Sequence, residues 1–551
     1  MDLEKEIKKF TLANSIKYEG KASQGSVIGQ LMGQHPELKA KFKEVAPLVG
    51  KTIAEVNKLS LEKQTEELQK IAPELLVHEK KVARKLELKD LPNAVDGKVV
   101  TRTAPNPNGA MHLGNARAAV LSFLYAEKYH GKFILRFDDT SPKTKRSKIE
   151  AYKWVQEDLE WLGAKIDKIH YACKNFERYY EIAEKLIDMG KAYICNCDTE
   201  EWREKKNKGV ACPCRELPPK EQMIRWKKMF TTYKENEVVL RIKTDLQHKD
   251  SGRRDWWAAK VIENPDHPIT KNKYRVWPSY NLQSAIDDHD LGMTHILRGQ
   301  EHSQNEYRQK YVYDYLGWEY PTAIHHGRVI LPEGGLSTSK TSELIEKGEY
   351  TGWDDPRLIT LRALRRRGFV PEAIKDIEIS VGINTNDVIL SQDKIASFNR
   401  TYIDKTADRY MFVENPVKIT IKDAPKIIAE IRYHPEKDKV RKVATDGNFY
   451  ITKKDHSDLA KGKLYRLMDC LNFVDSAYTS VNIEDYRKRG RGIFHWVISE
   501  NKIEVLMPDG SNVKGYGEDA LAKVKIGEVI QFNRFGFVRK ETPEKYIFTH
   551  D

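Results

Sequence analysis

Cysteine is scarce, with six in 551 residues. So few thiols cannot staple a chain of this length, which excludes a disulfide scaffold. Long apolar runs are missing too. No stretch reaches the ~18 apolar residues that cross a bilayer, so a membrane span is excluded. The opening MDLEKEIKKF has charges where a leader has an apolar segment. No secretory signal is expected, and the expected compartment is the cytoplasm. There is no internal repeat and no low-complexity tract.

What is present fits ordinary cores with heavily charged surfaces. Hydrophobic residues make up 40% and charged residues 32%, too much core material for a disordered chain. The length predicts roughly three to five domains. Lys and Arg number 94 against 81 Asp and Glu, a net charge of +13 with a pI near 9.0. That makes a polyanionic partner plausible without identifying one, because many basic surfaces are only solvated faces. Four of the six cysteines fall within twenty residues, which suggests a metal in a reducing compartment.

Along the chain, residues 1–97 read as a helical module and linker. Leu3, Ile7 and Phe10 share one helical face, and Leu61, Leu68, Ile71 and Leu75 continue such a stripe. Thr52 and Glu55 have capping-box spacing. The charged segment His78–Gly97 reads as the linker. From residue 98 a β-branched run at Val99–Thr103, a Pro/Asn/Gly loop, an amphipathic helix through Leu113, Val120 and Leu124, and a strand at Phe133–Phe137 make a βαβ unit. That unit implies a parallel sheet with crossover helices. The α/β pattern is expected over 98–172 and again over 277–340. Residues 173–276 interrupt it and read as an insertion. Residues 341–408 are helical and Arg-rich. From 409 to 551 the hydrophobic period becomes two, as at Val417, Ile419 and Ile421, with Gly/Asp turns between short runs. Antiparallel barrels are expected there.

Two short motifs carry chemistry. Met111-His112-Leu113-Gly114-Asn115 sits where a strand gives way to a helix. Open parallel sheets bind ligands at that end. A helix N-terminus offers free N–H groups to phosphate, and an imidazole there could stabilise charge on a transferring phosphate. Gly114 would let a flat base lie on bare backbone. Alone, this is as readily a His and a Gly at an ordinary helix start. Gly334-Gly335-Leu336-Ser337-Thr338-Ser339-Lys340-Thr341 could close over phosphates, with Lys340 as a point charge. Alone, it reads better as a surface turn. A third candidate, the pair Asp287-Asp288, is taken as adjacent strand residues facing opposite ways, and so as structural.

Together, an H-x-G-[HN] after the first strand and an S-K loop after the last resemble the paired signatures of class I aminoacyl-tRNA synthetases. The chain departs at Ser337-Thr338, where many relatives have Lys-Met, and at Asn115, where many have His. The likeness sharpens to the glutamyl-tRNA synthetases of archaeal/eukaryotic type through TRTAPNPNGAMHLGNARAA, LRFDDTSP, WPSYNLQSAIDDHDLGMTHILRGQEH, GWDDPRLITLRALRRRGF and FGFVRKE. It spans roughly Val99 to Arg539, and the N-terminal module resembles theirs as well. The resemblance implies a Rossmann-type catalytic domain split by an acceptor-end domain, a helical subdomain that touches tRNA, and terminal β-barrels that read the anticodon. It implies ATP with Mg2+ as substrate. Pro105, Gly109, His112, Gly114, Asn115, Ser339 and Lys340 would be at the nucleotide, with His112 and Lys340 acting on the phosphates.

Free glutamate carries an ammonium and two carboxylates, so a pocket for it needs at least one Arg fork and one acid. Arg102 and Arg298 are the candidate forks, Asp138 the acid, and Tyr280 a wall and a hydroxyl. The resemblance places all four in the amino-acid site. Related glutaminyl enzymes lack an arginine at the position matching Arg298. A buried guanidinium facing a neutral amide would stand unpaired, so Arg298 favours glutamate. Without the family frame, Arg298 reads as a surface cation and Asp138 as a salt-bridge partner of Arg136.

Cys195-Asn196-Cys197 and Cys212-Pro213-Cys214 form two tight knuckles suited to tetrahedral zinc. The alternative is two unrelated pairs of free thiols. A structural zinc shaping a surface for the acceptor end is preferred to a catalytic one. Basic runs at Arg362–Arg367 and Arg487–Arg491 would suit an RNA followed along its phosphates, or are plain solvated faces. The expected activity joins L-glutamate, through glutamyl-adenylate, to the 3′ end of tRNA(Glu), with tRNA(Gln) left open as a second substrate. The alternatives are a glutaminyl-tRNA synthetase and a non-catalytic tRNA-binding scaffold. The N-terminal module is a candidate surface for a protein partner.

Overall fold

Apolar residues at helical spacing near the N-terminus form four helices in the computed structural model, which describes residues 3–17, 20–35, 38, 42–75, 86–331 and 337–551. The chain divides into two compact units, Met1–Lys85 and Leu86–Asp551. In the first, α1 (Leu3–Lys17), α2 (Gln24–Gln34), α3 (Phe42–Val56) and α4 (Leu61–Ile71) bury Ile7, Phe10, Val27, Leu31, Val45 and Val49 together. Gln64 is fully buried and its amide nitrogen donates to the carbonyls of Gly20, Val56 and Leu59. The amide thereby ties together carbonyls from the end of α3 and from two loops. The capping box expected at Thr52 is not there. Thr52 lies inside α3 and its hydroxyl donates back to the Leu48 carbonyl at 3.0 Å. Ser60 is the cap instead, at the start of α4. Of the linker expected at 78–97, residues 78–85 lie outside the described residues.

The second unit opens with β1 (Val100–Thr103), α5 (Leu113–Lys128), β2 (Lys132–Phe137), α6 (Ile149–Trp161) and β3 (Lys168–Tyr171). The three strands are parallel in the order β1-β2-β3. α5 buries Leu113, Ala116, Val120 and Phe123 against Phe133, Leu135 and Phe137 of β2. After β3 the chain makes α7 (Phe176–Asp188), β4 (Ala192–Cys195), α8 (Thr199–Asn207), α9 (Pro219–Met229), β5 (Val239–Ile242), β6 (Trp256–Val261) and β7 (Val276–Pro278). β4 to β7 form an antiparallel sheet over a core of Phe176, Trp226, Trp256 and Trp277.

Parallel pairing resumes after α10 (Tyr280–Asp290), with β8 (His295–Gly299), α11 (Ser303–Leu316) and β9 (Thr322–His326). Thr294, just before β8, exchanges bonds with Val100 of β1, so this pair lies beside the first sheet. β10 (Val329–Ile330), α12 (Thr338–Glu346), α13 (Leu361–Arg367), α14 (Pro371–Val381), β11 (Val388–Ile389) and α15 (Gln392–Ile403) follow. From Arg409 onward strands dominate. The largest sheet has seven strands, with Arg409–Tyr410 at one edge and Phe412–Glu414 at the other. Most of its pairs are antiparallel, and its strand order does not close on itself.

Three of the four arginines in the Arg362–Arg367 run are tied into the fold, while Arg365 stays exposed. Arg362 pairs with Glu157 at 2.7 Å. Arg366 pairs with Glu541 at 2.6 Å, and Arg367 donates to the Thr549 carbonyl at 2.7 Å. These bonds tie the end of α13 to the terminal strands. At its start, Leu361 N–H donates to Met111 O and Leu113 N–H to Ile359 O.

Candidate active site

The C-terminal ends of β1, β2 and β8 and the start of α5 surround a cleft of about 810 Å³. That volume is within the range of small-molecule sites. Arg102, Asp138, Tyr280 and Arg298 line it with Pro105, Gly109, His112, Gly114, Asn115 and Ser339. The candidate amino-acid and nucleotide residues are therefore brought together, with one exception.

The exception is Lys340. The segment expected to be a loop becomes helix at Thr338, capped by Ser337, whose hydroxyl accepts the Lys340 N–H. Lys340 is on the first turn, half exposed, with its amine 3.2 Å from Glu343. Ser337, Thr338 and Ser339 line the cleft and Lys340 does not. Gly334, Gly335 and Leu336 lie outside the described residues.

His112 is the N-cap of α5. Its Nδ1 accepts the Asn115 N–H at 3.3 Å, so the neutral ring carries its proton on Nε2. Burial pushes its pKa down to about 4. At neutral pH it offers an uncharged donor at a helix N-terminus. Two glycines keep this corner open. A Cβ on Gly109 would lie 2.4 Å from the Trp353 ring and 2.7 Å from Thr338, and one on Gly114 would lie 3.2 Å from His112.

The floor is a network of arginines and acids. Arg102 donates from Nε and one terminal nitrogen to both oxygens of Asp288, at 2.9 and 3.2 Å. Arg136, fully buried, grips Asp138 at 2.7 and 3.2 Å and Asp288 at 2.7 Å. The Asp138–Arg136 bridge weighed from sequence is thus present, and Asp138 still faces the cleft. Burial raises the Asp138 carboxyl above its ordinary range, against Arg136 and Arg102. Asp288 is buried too, yet the same two arginines hold it down at about 2. The strand expected at Asp287-Asp288 is corrected: both are on α10, both are buried, and Asp288 anchors the floor. Arg136 and Asp288 are the site residues that sequence reasoning missed. Leu282, Ala285 and Ile286 after Ser279 gave the helical signal.

Arg298 is buried, not a surface cation. Its Nε donates to His325 Nε2 at 3.2 Å, and its two terminal nitrogens donate to Gln309 Oε1 and the Tyr320 hydroxyl, each at 3.0 Å.

Away from the cleft, the sulfurs of Cys195, Cys197, Cys212 and Cys214 lie within 4.8 Å of one another. Cys195 and Cys212 are 3.9 Å apart, and Cys197 and Cys214 3.7 Å. A tetrahedron with ~2.3 Å zinc–sulfur bonds has edges of about 3.8 Å, so the four thiols fit that ion. Asp139, Cys173 and His267 also cluster. There, His267 Nδ1 accepts the N–H groups of Ile269 and Thr270. That leaves the proton on Nε2, the nitrogen facing Asp139, and withholds it from a metal.

Among the described residues no helix is long and apolar enough to cross a membrane. Residues 98–405 match the family described as tRNA synthetases class I (E and Q), catalytic domain. Residues 407–484 and 493–541 match two anti-codon binding domains of the same class. A protein of Pyrococcus furiosus named glutamate–tRNA ligase is 48% identical, covering 98% of this chain and 97% of its own length. A protein of that name from Pyrococcus horikoshii is 49% identical over the same shares. One from Methanocaldococcus jannaschii is 43% identical, again over 98% and 97%. The chain belongs to the class I (E and Q) tRNA synthetases.

Proposed function

We propose that the protein is a glutamate–tRNA ligase. It activates L-glutamate with ATP to glutamyl-adenylate and pyrophosphate, then esterifies the 3′ end of tRNA(Glu). The likeness to ligases of that name along nearly the whole chain carries this reading, and the chemistry of the cleft gives it a physical basis.

The α-carboxylate attacks the α-phosphorus in line, and pyrophosphate leaves with the bond electrons. No covalent protein intermediate is needed, so catalysis rests on positioning and charge stabilisation. Arg298 takes the side-chain carboxylate of glutamate, Asp138 the ammonium, and Tyr280 forms a wall. Arg102 keeps Asp288 in place and turns its remaining donors to the substrate. His112 Nε2–H donates to the α-phosphate as charge builds, and Pro105, Gly109, Gly114, Asn115 and Ser339 frame the nucleotide. Lys340 acts on the outer phosphates after exchanging Glu343 for them. Mg2+, bound with ATP, would offset phosphate charge.

The domain plan follows. Residues 98–172 and 277–340 form the catalytic domain, 173–276 take the acceptor end, 341–408 touch the tRNA body, and 409–551 read the anticodon from barrel-like sheets. Cys195, Cys197, Cys212 and Cys214 would hold a structural Zn2+, which clamps β4 to the following turn. tRNA(Gln) stays open as a second acceptor. The test is amino-acid-dependent ATP–pyrophosphate exchange with tRNA present. Glutamate should support exchange and glutamine should not; exchange with glutamine alone would overturn the assignment.

A further inference from the structure

The buried arginines Arg102 and Arg298 that line the cleft, and Arg136 beneath it, differ in what neutralises them. Arg102 and Arg136 both donate to carboxylates, those of Asp288 and Asp138. Among the described residues, Arg298 donates hydrogen bonds only to neutral groups: an imidazole, an amide oxygen and a hydroxyl. Glu306 stands 3.9 Å off and is taken by Lys310 at 2.6 Å, and Asp288, already gripped by Arg102 and Arg136, feels Arg298 only through space.

Gln309 and Tyr320 close a ring with Arg298. The Tyr320 hydroxyl accepts from Arg298 and donates at 2.9 Å to the same Gln309 oxygen that Arg298 bonds. His325 sits opposite Arg298 in the β8–β9 register. It must accept at Nε2, so its proton is on Nδ1, facing Glu306 at 3.5 Å.

Gln309 is fully buried, and its own amide nitrogen has no hydrogen-bond partner among the described residues. A buried unpaired donor destabilises the fold. A glutamate of the same size would remove that donor and pair with Arg298. The amide therefore stabilises less than the obvious alternative, and what it preserves is the charge of Arg298.

We infer that Gln309, with Tyr320 and His325, is a positioning and specificity-determining device: it fixes the Arg298 guanidinium while leaving its charge for the substrate's side-chain carboxylate. This rests on the reading of Arg298 as the group that holds glutamate. A guanidinium held by a protein carboxylate would attract an anionic ligand less and would lose its preference over the neutral amide of glutamine.

The experiment measures exchange kinetics of the full chain with tRNA present, alongside thermal melting. Gln309→Glu should raise the glutamate KM about tenfold or more. The ATP KM should stay near wild type, the glutamate-to-glutamine preference should fall, and the melting temperature should rise. A purely structural role would move glutamate and ATP together or lower the melting temperature. Gln309→Met, neutral, should raise the glutamate KM less than Gln309→Glu. An unchanged glutamate KM in Gln309→Glu, or equal effects of Glu and Met, overturns the inference. If Gln309→Glu does not fold, Tyr320→Phe decides: it should raise the glutamate KM alone, and no change overturns the inference. Arg298→Met separates the two levels. If it leaves the glutamate KM intact, the reading of the site fails; if it raises KM while Gln309→Glu does not, only the cradle fails.

Discussion

His112 combines two tasks in one imidazole. Its Nδ1 closes the first turn of α5, and the ring, with its proton on Nε2, lines the cleft. His112→Ala should lower the rate of glutamate activation roughly 10²-fold, the scale of a lost charge-stabilising donor, with tRNA affinity within about twofold of wild type. Exchange kinetics and filter binding check this, and a loss confined to tRNA affinity contradicts the assigned role. The missing cap should also destabilise the chain by about 1 kcal/mol. This residue was legible because its signal is local: a β-branched run, a Pro/Asn/Gly loop, then His-x-Gly before an apolar helix. Arg136 and Asp288 were not, because they meet across 152 residues of sequence and either could equally have formed a surface pair. The Arg298 cradle was hidden for the same reason. Its charge was readable, but whether its partners were charged or neutral was not.

Among the elements, the two cysteine knuckles bracket α8. Cys195 ends β4, and Cys214 lies in the turn before α9. Cross-linking by one ion would join strand and turn without any long-range core. Elemental analysis should find about one zinc per chain, and Cys195→Ser should reduce that to near zero with charging impaired more than melting. A chain without metal at wild type removes the idea. The alternation of β-strands and crossover helices from Val99 to Phe137 was readable from hydrophobic period alone. The start of α12 was not, because Gly, Ser and Thr favour loops and helix caps alike. There Ser337 turned out to be the cap, which carried Lys340 onto a helix and away from the cleft. Thr52 failed in the opposite sense: cap spacing occurs by chance inside α3, where a hydroxyl can bond the preceding turn.

For the whole molecule, buried titratable groups set the pH range of stability. Burial pushes the imidazoles of His112, His267, His302, His326, His495 and His550 down to about 4. Unfolded, they take protons below pH ~6.5, so their contribution falls as pH drops from there toward 4. Carboxyls act the other way. Burial raises Asp139 to about 6, Asp158 to about 7 and Glu378 to about 8. Their folded forms bind protons that the unfolded chain has released, so stability is lost as pH rises from the carboxylate range toward those values. Melting temperature should therefore peak near pH ~6.5. Glu378 tests the alkaline side. It is on α14, fully buried, and neither of its side-chain oxygens has a hydrogen-bond partner among the described residues. Glu378→Gln should raise the melting temperature at pH 8.5 and leave it unchanged near pH 4. Equal effects at both values would falsify the titration account.

The seven residues of α13 are fastened at both ends. The first turn shares backbone bonds with the strand-to-helix corner that holds His112, and the last turn is pinned to Glu541 and Thr549. At 1.5 Å per residue, about 10 Å of rigid rod separates the imidazole from the terminal sheet. A displacement of that sheet would therefore be passed along the rod toward the corner that holds His112.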